Sequence, residues 1–184
     1  MHIKITRQLK MVFSFALLII LLLVVLELIN WAPSIIETES LRKYKTIELV
    51  KRKLHIERIY IPAYLPEDLN LKWPPAEIYA QKKPFVMVIM HFQQRDSKEL
   101  GLIVHQVDAR SNYRPESKIK LSHIKKESKV LIKDRAGILI TAACEDDTPC
   151  NQVSWREGNF MLTVIGKDSQ RDLIRIARSM VPDS

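Results

Sequence analysis

From Met11 to Leu28 the chain reads MVFSFALLIILLLVVLEL, and Glu27 is the one charged residue in that run. At about 1.5 Å per helical residue the run covers roughly 27 Å, close to the hydrocarbon thickness of a bilayer. Buried core helices seldom carry so long an all-round apolar stretch, so a membrane-spanning helix over 11–29 is expected. Lys4, Arg7 and Lys10 precede the run, whereas Ile29 to Glu39 contain no Lys or Arg. That asymmetry places residues 1–10 in the cytoplasm and everything after the span outside it, with Trp31 as an interfacial anchor. The apolar core exceeds a typical signal-peptide h-region and no small-x-small cleavage pattern follows, so the segment is expected to stay as a signal anchor.

The remainder, about 150 residues, suffices for one domain of ordinary size. The chain has 47% hydrophobic and 27% charged residues, a globular rather than a disordered composition. Of the formal charge of +8, Lys4, Arg7 and Lys10 against Glu27 supply +2, leaving +6 for the rest. A basic outer domain suits anionic lipid headgroups, acidic envelope polymers or an acidic protein partner, and its placement argues against nucleic acid.

Only two cysteines occur, Cys144 and Cys150, with Glu-Asp-Asp-Thr-Pro between them. Outside the cytoplasm such a pair is expected to oxidise across a short loop, contributing about 2–3 kcal/mol. The spacing is not Cys-x-x-Cys and no histidine lies close in sequence, so a redox centre or metal site is the weaker alternative.

Ser34 and Glu37 form a candidate capping box, and Leu41, Tyr44, Ile47, Val50 and Leu54 recur every three or four residues. The period predicts an amphipathic helix just outside the membrane, within a juxtamembrane segment 30–54. Its other face carries Arg42, Lys43, Lys45, Lys51, Arg52 and Lys53, either solvated or lying against anionic lipid. Within the outer domain, 55–184, Pro62 and Pro66 predict a short strand leading into a fixed turn, and Trp73-Pro74-Pro75 prolongs the irregular stretch. The runs Pro84–Phe92 and Leu100–Val107 predict a hairpin buried on both faces, turning near Ser97 or Lys98. Further strands are expected at 118–124, 129–133, 137–143, 152–156 and 160–165, with turns at Asp134–Gly137 and Glu157–Asn159. Asp168 or Ser169 caps a closing helix whose stripe is Leu173, Ile176, Ala177 and Met180, ended by Pro182. With no βαβ alternation and no repeat, the expected class is α+β: a mostly antiparallel sheet with a juxtamembrane and a C-terminal helix.

Two stretches carry a resemblance. Ile61-Pro62-Ala63-Tyr64-Leu65-Pro66-Glu67-Asp68-Leu69 looks like a Pro-x-Tyr-Leu-Pro-Glu-Gly-Leu element. Val153 to Phe160, with Asp172 to Met180, is similar to a Trp-x-Glu-Gly strand turn followed by a Leu-x-x-Ile-Ala-x-Ser helix. Together they resemble a bacterial extracytoplasmic domain-of-unknown-function family found C-terminal to a membrane helix in anti-sigma-factor-like and sporulation-type membrane proteins. The resemblance implies a domain outside the cytoplasm with a binding or sensory role. The same residues have a plain packing reading, in which Trp155 and Phe160 pack across a hairpin turned by Gly158.

Catalytic motifs are lacking: there is no Gly-x-Ser-x-Gly, His-Glu-x-x-His, Walker-type or Rossmann-type pattern, and only four glycines. His91 and His105 approach each other if the predicted hairpin forms, but two ligands do not make a metal site. Glu145, Asp146 and Asp147 lack the spacing and glycine of a calcium loop. No cofactor is expected. The densest basic stretch holds Arg110, Arg114, Lys118, Lys120, Lys125, Lys126, Lys129, Lys133 and Arg135, a candidate binding surface or a set of lysine-guarded strand edges. The reading is a membrane-anchored, non-enzymatic binding or sensory module for a protein partner or envelope component. The alternative is an accessory subunit of a membrane complex, in which Glu27 pairs with a cation on a neighbouring helix.

Overall fold

The computed structural model describes residues 13–27, 41–111 and 113–183. It divides into two compact units at Ser40 and Leu41. In the first unit, residues 13–27 are helical and every side chain is exposed. No helix among the described residues is long and apolar enough to cross a membrane. Met11, Val12 and Leu28 of the apolar run, the anchor Trp31 and the capping pair Ser34 and Glu37 lie outside the described residues.

The second unit is α+β. Strands β1 (Arg42–Tyr44), β3 (Glu77–Gln81), β4 (Met87–Gln93), β5 (Leu100–Asp108), β6 (Leu121–Ile132), β7 (Arg135–Cys144), β8 (Pro149–Glu157) and β9 (Phe160–Gly166) form one sheet in the order β1-β3-β4-β5-β9-β8-β7-β6. Every pairing in it is antiparallel. Strands β2 (Tyr60–Pro62) and β10 (Met180–Pro182) form a separate antiparallel ribbon, and α1 (Ile47–Leu54) and α2 (Gln170–Ser179) complete the unit.

The helices and the ribbon share a core with one sheet face. Val88, Met90 and Phe92 of β4, Leu102 and Val104 of β5, Leu162 and Val164 of β9, and Val153 and Trp155 of β8 meet Ile47 and Val50 of α1 and Leu173, Ile176 and Ala177 of α2. Gln106 is buried among them, and its polar atoms are satisfied: Oε1 accepts from Tyr60 N and Nε2 donates to Arg58 O, each at 2.8 Å. It thereby ties β2 to the sheet at no unmet hydrogen-bonding cost. The opposite face holds Met87, Ile89, Ile103, Val107 and Ile165, covered by Ile119 from the segment that follows β5. The β4–β5 hairpin is therefore buried on both sides, as its continuous apolar runs predict.

Four expectations change. The apolar period from Leu41 does not make one helix: Arg42–Tyr44 is a strand paired with β3, and the helix starts only after Thr46, whose hydroxyl accepts from Leu49 N at 3.3 Å. Leu41 and Tyr44 pack into the cores on opposite faces of the sheet, which a strand satisfies as well as a helical stripe does. Likewise, 118–124 and 129–133 are not two strands; β6 runs unbroken through them, with its register shifted near Leu121–His123 and Ile124–Lys126. Its hairpin to β7 turns at Lys133 and Asp134, with Lys133 at φ 56°, so Gly137 is not a turn residue. Gly137 faces Trp155 instead, and a Cβ there would stand 3.0 Å from Ser154 O and 3.2 Å from Trp155 Cβ. At the C-terminal end, Ser169 caps α2 by accepting from Asp172 N at 3.1 Å, and Pro182 lies in β10 rather than simply ending a helix.

Cys144 closes β7 and Cys150 is the second residue of β8, at disulfide distance with Cα atoms 5.3 Å apart. Both are buried beside Ile119 and Ile165. The bridge closes only a short loop, so changing both cysteines to serine should lower unfolding free energy by about 2 kcal/mol. Urea titrations of the oxidised and double-serine chains measure that difference.

Candidate functional site

Two places in the domain concentrate polar side chains. The first lies on the sheet face covered by the segment after β5. Glu77 of β3 sits opposite His91 of β4, and His91 Nδ1 lies 3.2 Å from Glu77 Oε2. Lys43 Nζ from β1 donates to Glu77 Oε1 at 2.6 Å, and Lys118 Nζ from the covering segment donates to Oε2 at 3.0 Å. Tyr79 donates its hydroxyl to the same carboxylate at 3.2 Å, and both ammonium groups stand within 6 Å of its ring centre. The bonds from Lys43, Lys118 and His91 hold the Glu77 carboxyl far below the usual carboxylate range.

His105 is opposite Ile89, so it and His91 are diagonal neighbours on one face, as the predicted turn position requires. Burial holds the His105 imidazole down to about 4, and its Nε2 has no hydrogen-bond partner. Among the described residues, no group of three His, Cys, Asp or Glu side chains is arranged to hold a metal ion. The cluster fastens β1 and the covering segment to the sheet.

The second place is a cleft of about 340 Å³ lined by Leu65, Pro66, Glu67, Asn70, Leu71, Trp73 and Arg95. Its walls come from the stretch after β2 and from the β4–β5 turn. A 3-10 turn at Glu67–Leu69 ends at Asn70, whose left-handed backbone (φ 47°) reverses the chain. Lys72 N then donates to Gln93 O at 2.8 Å and Arg95 N to Asn70 O at 2.8 Å, bringing the two stretches together. Trp73 stacks on Phe92 with ring centres 6.0 Å apart, yet remains 47% exposed. Arg95 Nε donates to Leu71 O at 3.2 Å, while Asn70 Nδ2 donates to the Asp96 carboxylate. Leu71, buried, is part of the lining, and Gly101 leaves room for it: a Cβ there would stand 2.7 Å from Leu71 Cδ2.

None of the nine basic residues singled out in the sequence lines this cleft. Five of them are held by other groups: Arg110 by Asp108, Lys118 by Glu77, Lys120 by Glu145, Arg135 by Glu157, and Lys133 by the Met180 carbonyl. Arg114, Lys125, Lys126 and Lys129 are exposed and make no ion pair among the described residues. The last three lie on β6, the edge strand, where lysines and register shifts discourage pairing with another chain. In the acidic run between the cysteines, Asp146 binds Thr148 and Lys167, and Asp147 turns the chain at φ 59°. The cleft residues carry no periodic signal, because they come from two irregular stretches that meet only after β4 and β5 pair.

Asp168, half-buried ahead of α2, departs from the other acids. Burial pushes its carboxyl up to about 6, aided by Asp172 and Asp68 and opposed by the bond from Ser169 N. An acid raised in this way stabilises the fold below its unfolded value near 3.8 and loses that contribution as pH rises through 6. Asp168→Asn should therefore raise stability by about 1 kcal/mol at pH 7.5, with the gain vanishing below pH 4. Thermal unfolding of both chains across pH checks this.

No protein-family model, curated protein or solved structure matches the chain.

Proposed function

We propose that this chain is a single-pass membrane-anchored, non-enzymatic binding or sensory module. Its α+β domain lies outside the cytoplasm and recognises a protein partner or an envelope component. The observation that carries the anchoring is the surface of residues 13–26. All of these side chains are exposed, from Phe13 at 73% to Val25 at 46%, and the segment contains no charge. Such a surface is stable only against lipid or another apolar surface. The basic residues ahead of it and the cysteine pair beyond it support placing the domain outside the cytoplasm. The resemblance to extracytoplasmic domains that follow a membrane helix agrees with this placement. For recognition, the support is the open cleft beside Trp73 and Arg95, together with the unpaired cations of β6.

The test is a crosslinking pull-down from native membranes with the full chain as bait. A variant with Lys125, Lys126 and Lys129 reversed to Glu runs beside it. These three make no ion pair among the described residues, so the variant should match the parent's stability within about 0.5 kcal/mol. A partner captured by the parent and lost by the variant would identify β6 as the recognition edge. A partner retained by both would direct the search to the cleft. Accessibility of the domain to protease only from the cytoplasmic side would reject the proposed placement.

A further inference from the structure

The cleft brings together three kinds of group: a cation, acceptors and apolar surface. Arg95 is fixed by its Nε at the Leu71 carbonyl, which leaves its two terminal nitrogens as a planar pair of donors. Glu67 lines the same cleft, yet it forms no ion pair with Arg95 or with any other described cation. Asn70 spends its Nδ2 on Asp96, which leaves Oδ1 as an acceptor. Leu65, Leu71 and the exposed face of Trp73 complete the lining with apolar surface.

Each simple ligand class fails against this set. An inorganic anion would satisfy Arg95 but meet Glu67 as a like charge. An amine alone would do the reverse. A purely apolar ligand would strip water from both charges and return nothing to them. A zwitterion with a short apolar branch answers all three. The volume, about 340 Å³, lies at the small end of the range for ligand clefts.

Resting on the binding-module reading above, we propose that this cleft takes a free amino acid with an apolar side chain. The carboxylate lies on the Arg95 guanidinium. The ammonium group lies between Glu67 and Asn70 Oδ1. The side chain lies against Leu65, Leu71 and Trp73. The domain is then a receptor for a small metabolite, with the β6 edge free for a macromolecule.

Trp73 supplies the readout. The experiment titrates the full chain in detergent with L-leucine, L-valine and L-methionine, following tryptophan emission. A saturable change that is absent in Trp73→Ala is expected for at least one of them. Leucinamide, which lacks the carboxylate, and N-acetyl-leucine, which lacks the ammonium, should each bind roughly tenfold or more weakly than leucine. Arg95→Gln should weaken leucine by a similar factor while bringing leucinamide closer to leucine. Glu67→Gln, an exposed and nearly isosteric change, should do the same for N-acetyl-leucine. Since Arg95 also bonds the Leu71 carbonyl, its variant is compared by thermal unfolding, and the Glu67 arm stands without it. The proposal is overturned if none of the three amino acids saturates, or if leucinamide and N-acetyl-leucine bind as well as leucine. A protein partner captured from membranes alongside a flat titration would sink the amino-acid site alone. A saturating titration with no captured partner would leave the site standing and confine the module to small-molecule sensing.

Discussion

Trp155→Ala should lower the unfolding free energy by about 3–5 kcal/mol, the largest loss expected from one side chain in this domain. The indole is 2% exposed at the middle of the sheet's packed face, between Gly137 on β7 and Leu162 on β9. Its core neighbours come from α2 and the sheet, so deleting it leaves a hole bounded by several elements that cannot all close in. The ring also has a polar role: Nε1 donates to Glu157 Oε2 at 3.4 Å, and Glu157 in turn pairs with Arg135 at 3.1 Å. Truncation therefore removes volume and one partner of a charged group together. Urea unfolding followed by far-UV circular dichroism should show a lower midpoint with little change in slope. A loss under 1 kcal/mol would mean that the Gly137 notch collapses to fill the space.

That tryptophan also shows how far the sequence was legible. The Trp-x-Glu-Gly stretch marks a strand and turn, and Gly158 at φ 60° does supply the turn. Its packing was not legible. Trp155 lies opposite Leu162 and Gly137, while Phe160 lies opposite Glu157 and meets Tyr60 with ring centres 6.3 Å apart. Gly137 could be placed in a turn from composition, because nothing local shows that a strand away a tryptophan needs its missing side chain. The β4–β5 hairpin was legible for the opposite reason: its runs are apolar apart from His91, His105 and Gln106, and the turn position fixes register, which in turn makes His91 and His105 diagonal neighbours. A period of three or four is ambiguous where the chain alternates between two cores, as at Leu41 and Tyr44. The cleft could not be read at all, because the stretches that carry Glu67 and Arg95 are joined by backbone bonds, Arg95 N to Asn70 O and Lys72 N to Gln93 O, that no local pattern signals.

Glu77→Gln should cost about 2–3 kcal/mol at pH 7, and the cost should shrink steadily as pH falls below 4.5. The neutral amide keeps the shape but loses the charge that draws Lys43 from β1 and Lys118 from the covering segment onto one carboxylate. Each pair alone is worth little, since both lysines are more than half exposed. Their convergence on a carboxylate that also meets the buried Nδ1 of His91 makes the sum larger. The sign with pH follows from the direction of the shift. A carboxyl held far below its unfolded value of 4.5 contributes its stability above that value and loses it as pH falls through the folded one. Parent and variant should therefore begin to approach one another as pH falls below 4.5. Other groups also lose stability on acidification, His91 and Asp146 among them, and two have distinct windows. His105, held at about 4 by burial, loses its contribution between 6.5 and 4, and Asp108, held at about 2 by Arg110, does so between 3.8 and 2. Asp168 moves the opposite way between 6 and 4 and partly offsets the histidine. Both chains share these contributions, whereas the His91 imidazole, bonded to Glu77, changes with the substitution and belongs to the difference. Unfolding free energies of parent and variant measured from pH 8 to pH 2 should separate widely at neutral pH and draw together in acid. A gap that persists unchanged to pH 2 would show that the carboxylate's role is shape rather than charge.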